Sequence, residues 1–261
     1  MSAKDAQPES AQPSAVASAL PLEEAIHSLV LDDLLGAAAN PALTEELGLA
    51  LLARADLRGE VLEQLSKNRS VIKGGKVRLA LASHPKTPRQ VSVPLIRQFY
   101  TFDLMKAALS PVVPADVKRT AEETLIARLK TITLGERLTL ARQASGIIAG
   151  ALLLDPEPRI MRTALENPRL TEASVVKAVL KQDAGVELIQ AAAQHEKWSC
   201  RHDVQIALLR SEHLSLGRAL AFSRGIAPHQ LREVLQSSRL PSKIKAELLR
   251  EKSQDRPKAD S

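Results

Sequence analysis

Residues 167–173 read NPRLTEA, and residues 40–46 read NPALTEE. Asn167 and Asn40 each follow an apolar run of helical spacing, and asparagine tolerates the left-handed conformation that closes a helix. Pro168 and Pro41 cannot extend that helix, because proline lacks the donor and clashes with the preceding turn. Leu170 and Leu43 are apolar anchors. Thr171 and Thr44 are placed to cap a new helix, whose positive end suits Glu172, Glu45 and Glu46. The phrase therefore predicts a stop and a start within five residues.

Looser copies recur along the chain. HPKTP (84–88) supplies a breaker, with Thr87 as cap and Pro88 at the first helical position. HEKWS (195–199) places Trp198 and Ser199 where Leu43 and Thr44 stand, and SEHLS (211–215) does so with Leu214 and Ser215. Further breaks fall at SPVVP, DPEP, SRGIAP and SRLP. Taken two helices at a time, the step is 26 to 29 residues, the period of a helical-repeat array. VSVPLI (91–96) reads as a short or kinked helix because of Pro94. PADVKRTAEETLIARLK reads as one longer helix, followed by a Thr133–Glu136 capping box. The expected architecture is an all-α solenoid of about ten to fifteen short paired helices. Its expected segments are a disordered head (1–20), N-terminal repeats (21–110), a longer-helix insertion or seam (111–143), C-terminal repeats (144–252) and a mobile tail (253–261).

The stretches KVRLALASHPKTPRQVSVPLI (76–96) and LLLDPEPRIMRTALENPRLTEASVVKAVL (152–180) resemble the leucine-rich repeat variant family, a branch of the HEAT-like helical repeats. Asp155, Pro156, Ile160, Arg162, Ala164, Leu165, Asn167, Pro168, Leu170 and Thr171 fill the family phrase. Val77, Arg78, Ala80, Leu81, His84, Pro85 and Thr87 fill it in the earlier copy. The resemblance implies a right-handed superhelix of α-helices and short 3₁₀ helices, with no reaction of its own. The cysteine-rich iron–sulfur module of some members is not matched, because Cys200 stands alone.

Composition narrows the function classes. Aromatics are only 2% against 44% hydrophobic residues, so aliphatic side chains do the packing. One cysteine excludes an internal disulfide framework and a four-thiolate metal site. Neither a signal peptide nor a membrane span is visible, and a cytoplasmic protein is expected. Charge is sharply segregated. Residues 22–66 hold nine acids and two bases, a net of −7, whereas residues 67–97 hold eight bases and no acid. Such blocks attract one another within a fold or between molecules, or present a basic surface to phosphates.

The basic set is Lys67, Arg69, Lys73, Lys76, Arg78, Lys86, Arg89 and Arg97; a second is Arg159, Arg162, Arg169, Lys177 and Lys181. These are the candidate partner-binding residues. Gly74 and Gly75 lie between lysines, but the phosphate-loop order is missing, which leaves an anion-binding helix start as the sharper reading. His195, Cys200, His202 and Asp203 have ligand chemistry at a spacing that fits no common zinc pattern, so a polar turn around a buried Trp198 is expected instead. Phe99, Phe102 and Met105, three apart, are expected in the core. No catalytic or metal residue, cofactor or small-molecule substrate is expected. The expected function is a non-catalytic scaffold for a protein partner, self-association included, with nucleic acid held by phosphate contacts as the alternative.

Overall fold

The computed structural model describes residues 20–254. The expected head and tail fall outside them, except for Leu20 and for Ser253 and Gln254, which the last helix carries. The protein is all-α: the described residues form eighteen helices and no strand. The count exceeds the ten to fifteen expected, partly because the joints themselves contain one-turn helices. Contacts divide the chain into two compact units. The first holds the described residues up to Gln98 with Val112–Val117; the second holds Phe99–Pro111 and the chain from Lys118 onward.

In the first unit run α1 (Leu22–Ala25), α2 (Leu31–Ala39), α3 (Glu45–Leu52), α4 (Gly59–Lys67), α5 (Gly75–Ser83) and α6 (Arg89–Arg97). Helix α2 packs on α4 and α3 on α5, while α6 lies beside α5. Leu51, Leu62, Leu65, Val77 and Leu81 are wholly buried between them. Each such side chain contributes about 1.5–3 kcal/mol relative to exposure. Helix α6 does contain VSVPLI, running through Pro94.

In the second unit run α7 (Thr101–Leu109), most of α8 (Ala115–Arg128), α9 (Leu134–Gln143), α10 (Gly146–Leu152), α11 (Pro158–Leu165) and α12 (Glu172–Val179). They are followed by α13 (Val186–Gln194), α14 (Glu196–Ser199), α15 (His202–Leu209), α16 (Leu216–Arg224), α17 (Pro228–Gln236) and α18 (Ser242–Gln254). Helices stack in two columns. Helix α11 lies between α9 and α13, while α12 lies between α10 and α15, with α17 next on α15. Helix α16 packs on α18. Neighbours within each run of contacts are two or three helices apart in sequence.

The joints differ from the expectation in an instructive way. Among the described residues none has positive φ, glycines included. Asn40 is extended, at φ −66° and ψ 123°. The last carbonyls of a helix, which lack partners of their own, are instead met by a polar side chain from the following repeat. Asn68 Nδ2 donates to Ala38 O and Asn40 O, both at 2.9 Å, while its Oδ1 accepts from Ser70 N. Asn167 Nδ2 donates to Ala141 O at 2.8 Å and Ala144 O at 3.3 Å, while Oδ1 accepts from Arg169 N. His84 does the same with a ring: Nε2 lies 2.9 Å from Arg54 O, and Nδ1 accepts from Lys86 N. Ser238 donates to Leu209 O and accepts from Leu240 N. Trp198 Nε1 donates to Leu165 O at 2.9 Å. Asn68, His84, Asn167 and Ser238 thus both start the next turn and end an earlier helix, whereas Trp198 does only the second.

Other joint details divide. Leu43, Leu170, Trp198 and Leu214 are all buried, as their shared position requires. Thr44 and Thr171 cap α3 and α12, and Thr133 with Glu136 forms the full capping box of α9. Thr87 does not cap: its hydroxyl donates to Leu81 O, and Pro88 stands one residue before α6. Ser199 does not cap either, because it closes the one-turn helix α14. Phe99 is buried, but Phe102 is 42% exposed. Helix α7 begins at Thr101, and its buried positions are Thr101, Leu104, Ala107 and Ala108, which turns Phe102 outward.

Candidate functional site

The first basic set is spread over several elements of one unit. Lys67 ends α4; Arg69 and Lys73 lie in the α4–α5 joint; Lys76 and Arg78 lie in α5; Lys86 is in the next joint; Arg89 and Arg97 begin and end α6. Several of these bases already have acids of the same unit beside them. Lys67 Nζ pairs with Glu63 at 3.3 Å, and Arg89 Nε lies 3.8 Å from Asp116. Lys86 lies near enough to Asp56 to help keep its carboxylate ionised. The glycine-rich start of α5 also faces an internal acid: a methyl on Gly74 would sit 3.1 Å from Glu45 Cδ. The expected anion position therefore has a carboxylate of the same unit beside it. Arg69, Lys73 and Lys76 remain exposed, and Arg78 is partly buried with no hydrogen-bond partner for Nε.

Arg54, which the charge reading passed over, organises this unit. Its Nη1 donates to Ile26 O and Ser28 O, both at 2.8 Å, while Nε and Nη2 grip Asp56 at 3.0 and 2.6 Å. That fork hydrogen bond lowers the Asp56 carboxyl to about 2, and the same pairing raises the Arg54 guanidinium. In the second unit Arg137 Nη1 donates to both oxygens of Asp155, at 2.8 and 2.7 Å. Asp155 is only 5% exposed and also accepts from Glu157 N, so its place in the Asp-Pro phrase is that of a buried joint partner. Glu136 is held below the ordinary carboxyl range, chiefly by the Thr133 backbone N–H and then by the Thr101 hydroxyl.

The second basic set separates into three roles. Arg159 and Arg162 are exposed on α11. Arg169 is structural, its Nη1 donating to Gln143 O at 3.1 Å. Lys177 and Lys181 are exposed and line two adjoining hollows along α12. One hollow, of ≈ 250 Å³, is walled by Ile126, Ile147, Gly150, Ala151, Ser174 and Ala178. The other is walled by Glu172, Ala173, Val176, Leu180 and Asp203. Ile147 is 58% exposed and Leu180 42%, which leaves apolar surface open along the two hollows. Helix α10 approaches α12 closely enough to shape the groove because Gly146 and Gly150 face Arg169 O and the Ser174 side chain.

The residues of HEKWSCRHD disperse. His195 Nδ1 accepts from Lys197 N at 3.1 Å; its Nε2 lies 3.2 Å from Glu166 Oε1 but out of line for a hydrogen bond. Cys200 is exposed, with Sγ donating to Glu196 O. His202 Nε2 faces Gln230 at 3.3 Å. Trp198 is buried, with Lys197 Nζ 4.2 Å from its ring centre. No group of three or more His, Cys, Asp or Glu among the described residues is placed to hold a metal ion. No helix among them is long and apolar enough to cross a membrane. Compared with family models, with curated proteins and with solved structures, the chain matches none.

Proposed function

We propose that this chain is a non-catalytic scaffold, a right-handed HEAT-like solenoid that seats an acidic amphipathic helix of a protein partner along α12. The observation that carries the reading is the groove itself. Lys177 and Lys181 line the hollows with exposed Ile126, Ile147 and Leu180, and neither side-chain ammonium makes an ion pair or hydrogen bond among the described residues. Apolar residues at helical spacing would fill the hollows while acids on their flanks meet the two ammonium groups. The cross-repeat capping at a regular step supports a solenoid, since it makes each repeat complete only against its predecessor. Protein is favoured over nucleic acid because Lys67, Lys86 and Arg89 of the richest basic stretch already face acids.

A photo-crosslinking residue in place of Ile147 would capture the partner in cells, and the purified partner would then be titrated against the full chain. Lys177→Glu combined with Lys181→Glu is expected to weaken binding roughly tenfold or more. Unchanged affinity in that variant, or capture of nucleic acid rather than protein, would discard the proposal.

A further inference from the structure

Among the described residues, the stack of the second unit ends in a position that no helix fills. A further helix of the α10–α12–α15–α17 column would lie on α17 and against α18. That place is instead an open groove of ≈ 540 Å³. Its apolar wall is Leu231, Leu235 and Leu249, the last 40% exposed. Around it stand Arg232, Lys245 and Lys252, and no carboxylate is among the lining residues. Lys245 and Lys252 donate to the carbonyls of Ser238, Ser223 and Arg224, so their charge is positioned but not neutralised.

The start of the first unit has the opposite character. Residues 20–53 contain six acids and no lysine or arginine. Between α1 and α2 the chain turns outward at Leu29, 89% exposed, and Val30, 57% exposed. Glu23, Glu24 and Asp32 are exposed on the helices that flank this apolar tip, and the cation beneath it, Arg54, which holds the carbonyls of Ile26 and Ser28, is already paired with Asp56. An isolated exposed leucine needs no explanation, but an adjacent apolar pair flanked by carboxylates is the chemical complement of an apolar groove lined by cations.

From this complementarity we infer that the α17–α18 groove is a docking site for a second copy of this chain, which inserts Leu29 and Val30 while Glu23, Glu24 and Asp32 meet Arg232, Lys245 and Lys252. The two surfaces differ, so the contact is heterologous: each added copy leaves one groove and one tip free, and association continues past the dimer unless a ring closes. Burial of the apolar pair supplies affinity, and the charges supply orientation, rate and salt dependence. This contact uses neither α12 nor its lysines, so it stands or falls separately from the proposed partner groove.

Sedimentation velocity of the full chain tests it. The average mass is expected to rise with concentration at low salt and to fall when salt is added. Leu29→Asp removes the tip and Arg232→Glu reverses the groove. Both sites are exposed, and each variant alone is expected to associate roughly thirtyfold more weakly, the loss typical of a central anchor. An equimolar mixture is expected to regain affinity yet stop at a dimer, since one groove and one tip remain intact between them. Val30→Asp is a second tip variant should Leu29→Asp fail to fold, as circular dichroism would reveal. A wild-type chain that stays monomeric at its highest soluble concentration, or single variants that still associate like wild type, would overturn the inference. So would a mixture that regains nothing.

Discussion

Asn167 shows how much one side chain carries in this protein. Its amide serves two helix-end carbonyls of the preceding repeat and the N–H of Arg169, all from a position 1% exposed. Asn167→Ala would strand those groups, and the expected loss is about 3 kcal/mol, read from denaturant unfolding. His84 makes the same two kinds of bond through Nε2 and Nδ1, which correspond to the amide nitrogen and oxygen of asparagine. His84→Asn is therefore expected to be milder than His84→Leu, and equal losses would show that ring packing matters more than bonding. Asp155→Ala would leave Arg137 charged and one-fifth exposed without its acid, at an expected cost of about 3 kcal/mol. Asp56 gives a pH signature. Its folded carboxyl lies near 2, below the ordinary value, so its stabilisation is complete above about pH 4 and is lost as pH falls through the folded value. Stability measured across that acid window should fall less steeply in Asp56→Asn than in wild type; identical slopes would remove Asp56 from the account.

At the scale of elements, joints decide what a sequence discloses. Thr44, Thr171 and Thr133 were legible as caps because a threonine followed by glutamate has few other uses at a helix start. Leu43, Leu170, Trp198 and Leu214 were legible as anchors from their fixed distance to the breaker. Asn68 was hidden: it is followed by Arg69 rather than proline, and the surrounding lysines drew the reading toward a charged surface. Yet Val71, three residues on, is buried as Leu43 is. Thr87, Ser199 and Phe102 were misread for a single reason, since each depends on a helix start displaced by one or a few residues. The α12 groove was half visible, through Lys177 and Lys181, but its apolar wall comes from α8 and α10, distant in sequence. Glycine substitutions test that close approach. Gly146→Ala would normally strengthen a helix, but its methyl would collide with Arg169 O, and a loss of about 1–3 kcal/mol is expected. Gly217→Ala in α16 meets nothing within 4 Å and should gain up to about 1 kcal/mol. Thermal unfolding of the pair should show opposite signs.

For the whole molecule, two units and a chain of nearest-neighbour contacts imply stability that is distributed rather than global. Leu62→Ala, in a wholly buried position of α4, should cost about 2–5 kcal/mol locally. Hydrogen exchange is expected to quicken in α2 to α5 while α11 to α15 keep their protection; uniform loss would mean that the chain unfolds as one body. The carbonyl-capping bonds also share a direction. Asn68, His84, Asn167, Trp198, Ser238 and Lys252 each reach back to a helix end made earlier in the chain. A polypeptide leaving the ribosome amino end first thus always exposes acceptors, which water can serve, before the donors that will claim them. Growth by one repeat brings its own fastener. Halting synthesis at one of these joints leaves helix-end carbonyls that water can serve, whereas trimming from the front would strip partners from side chains already enclosed.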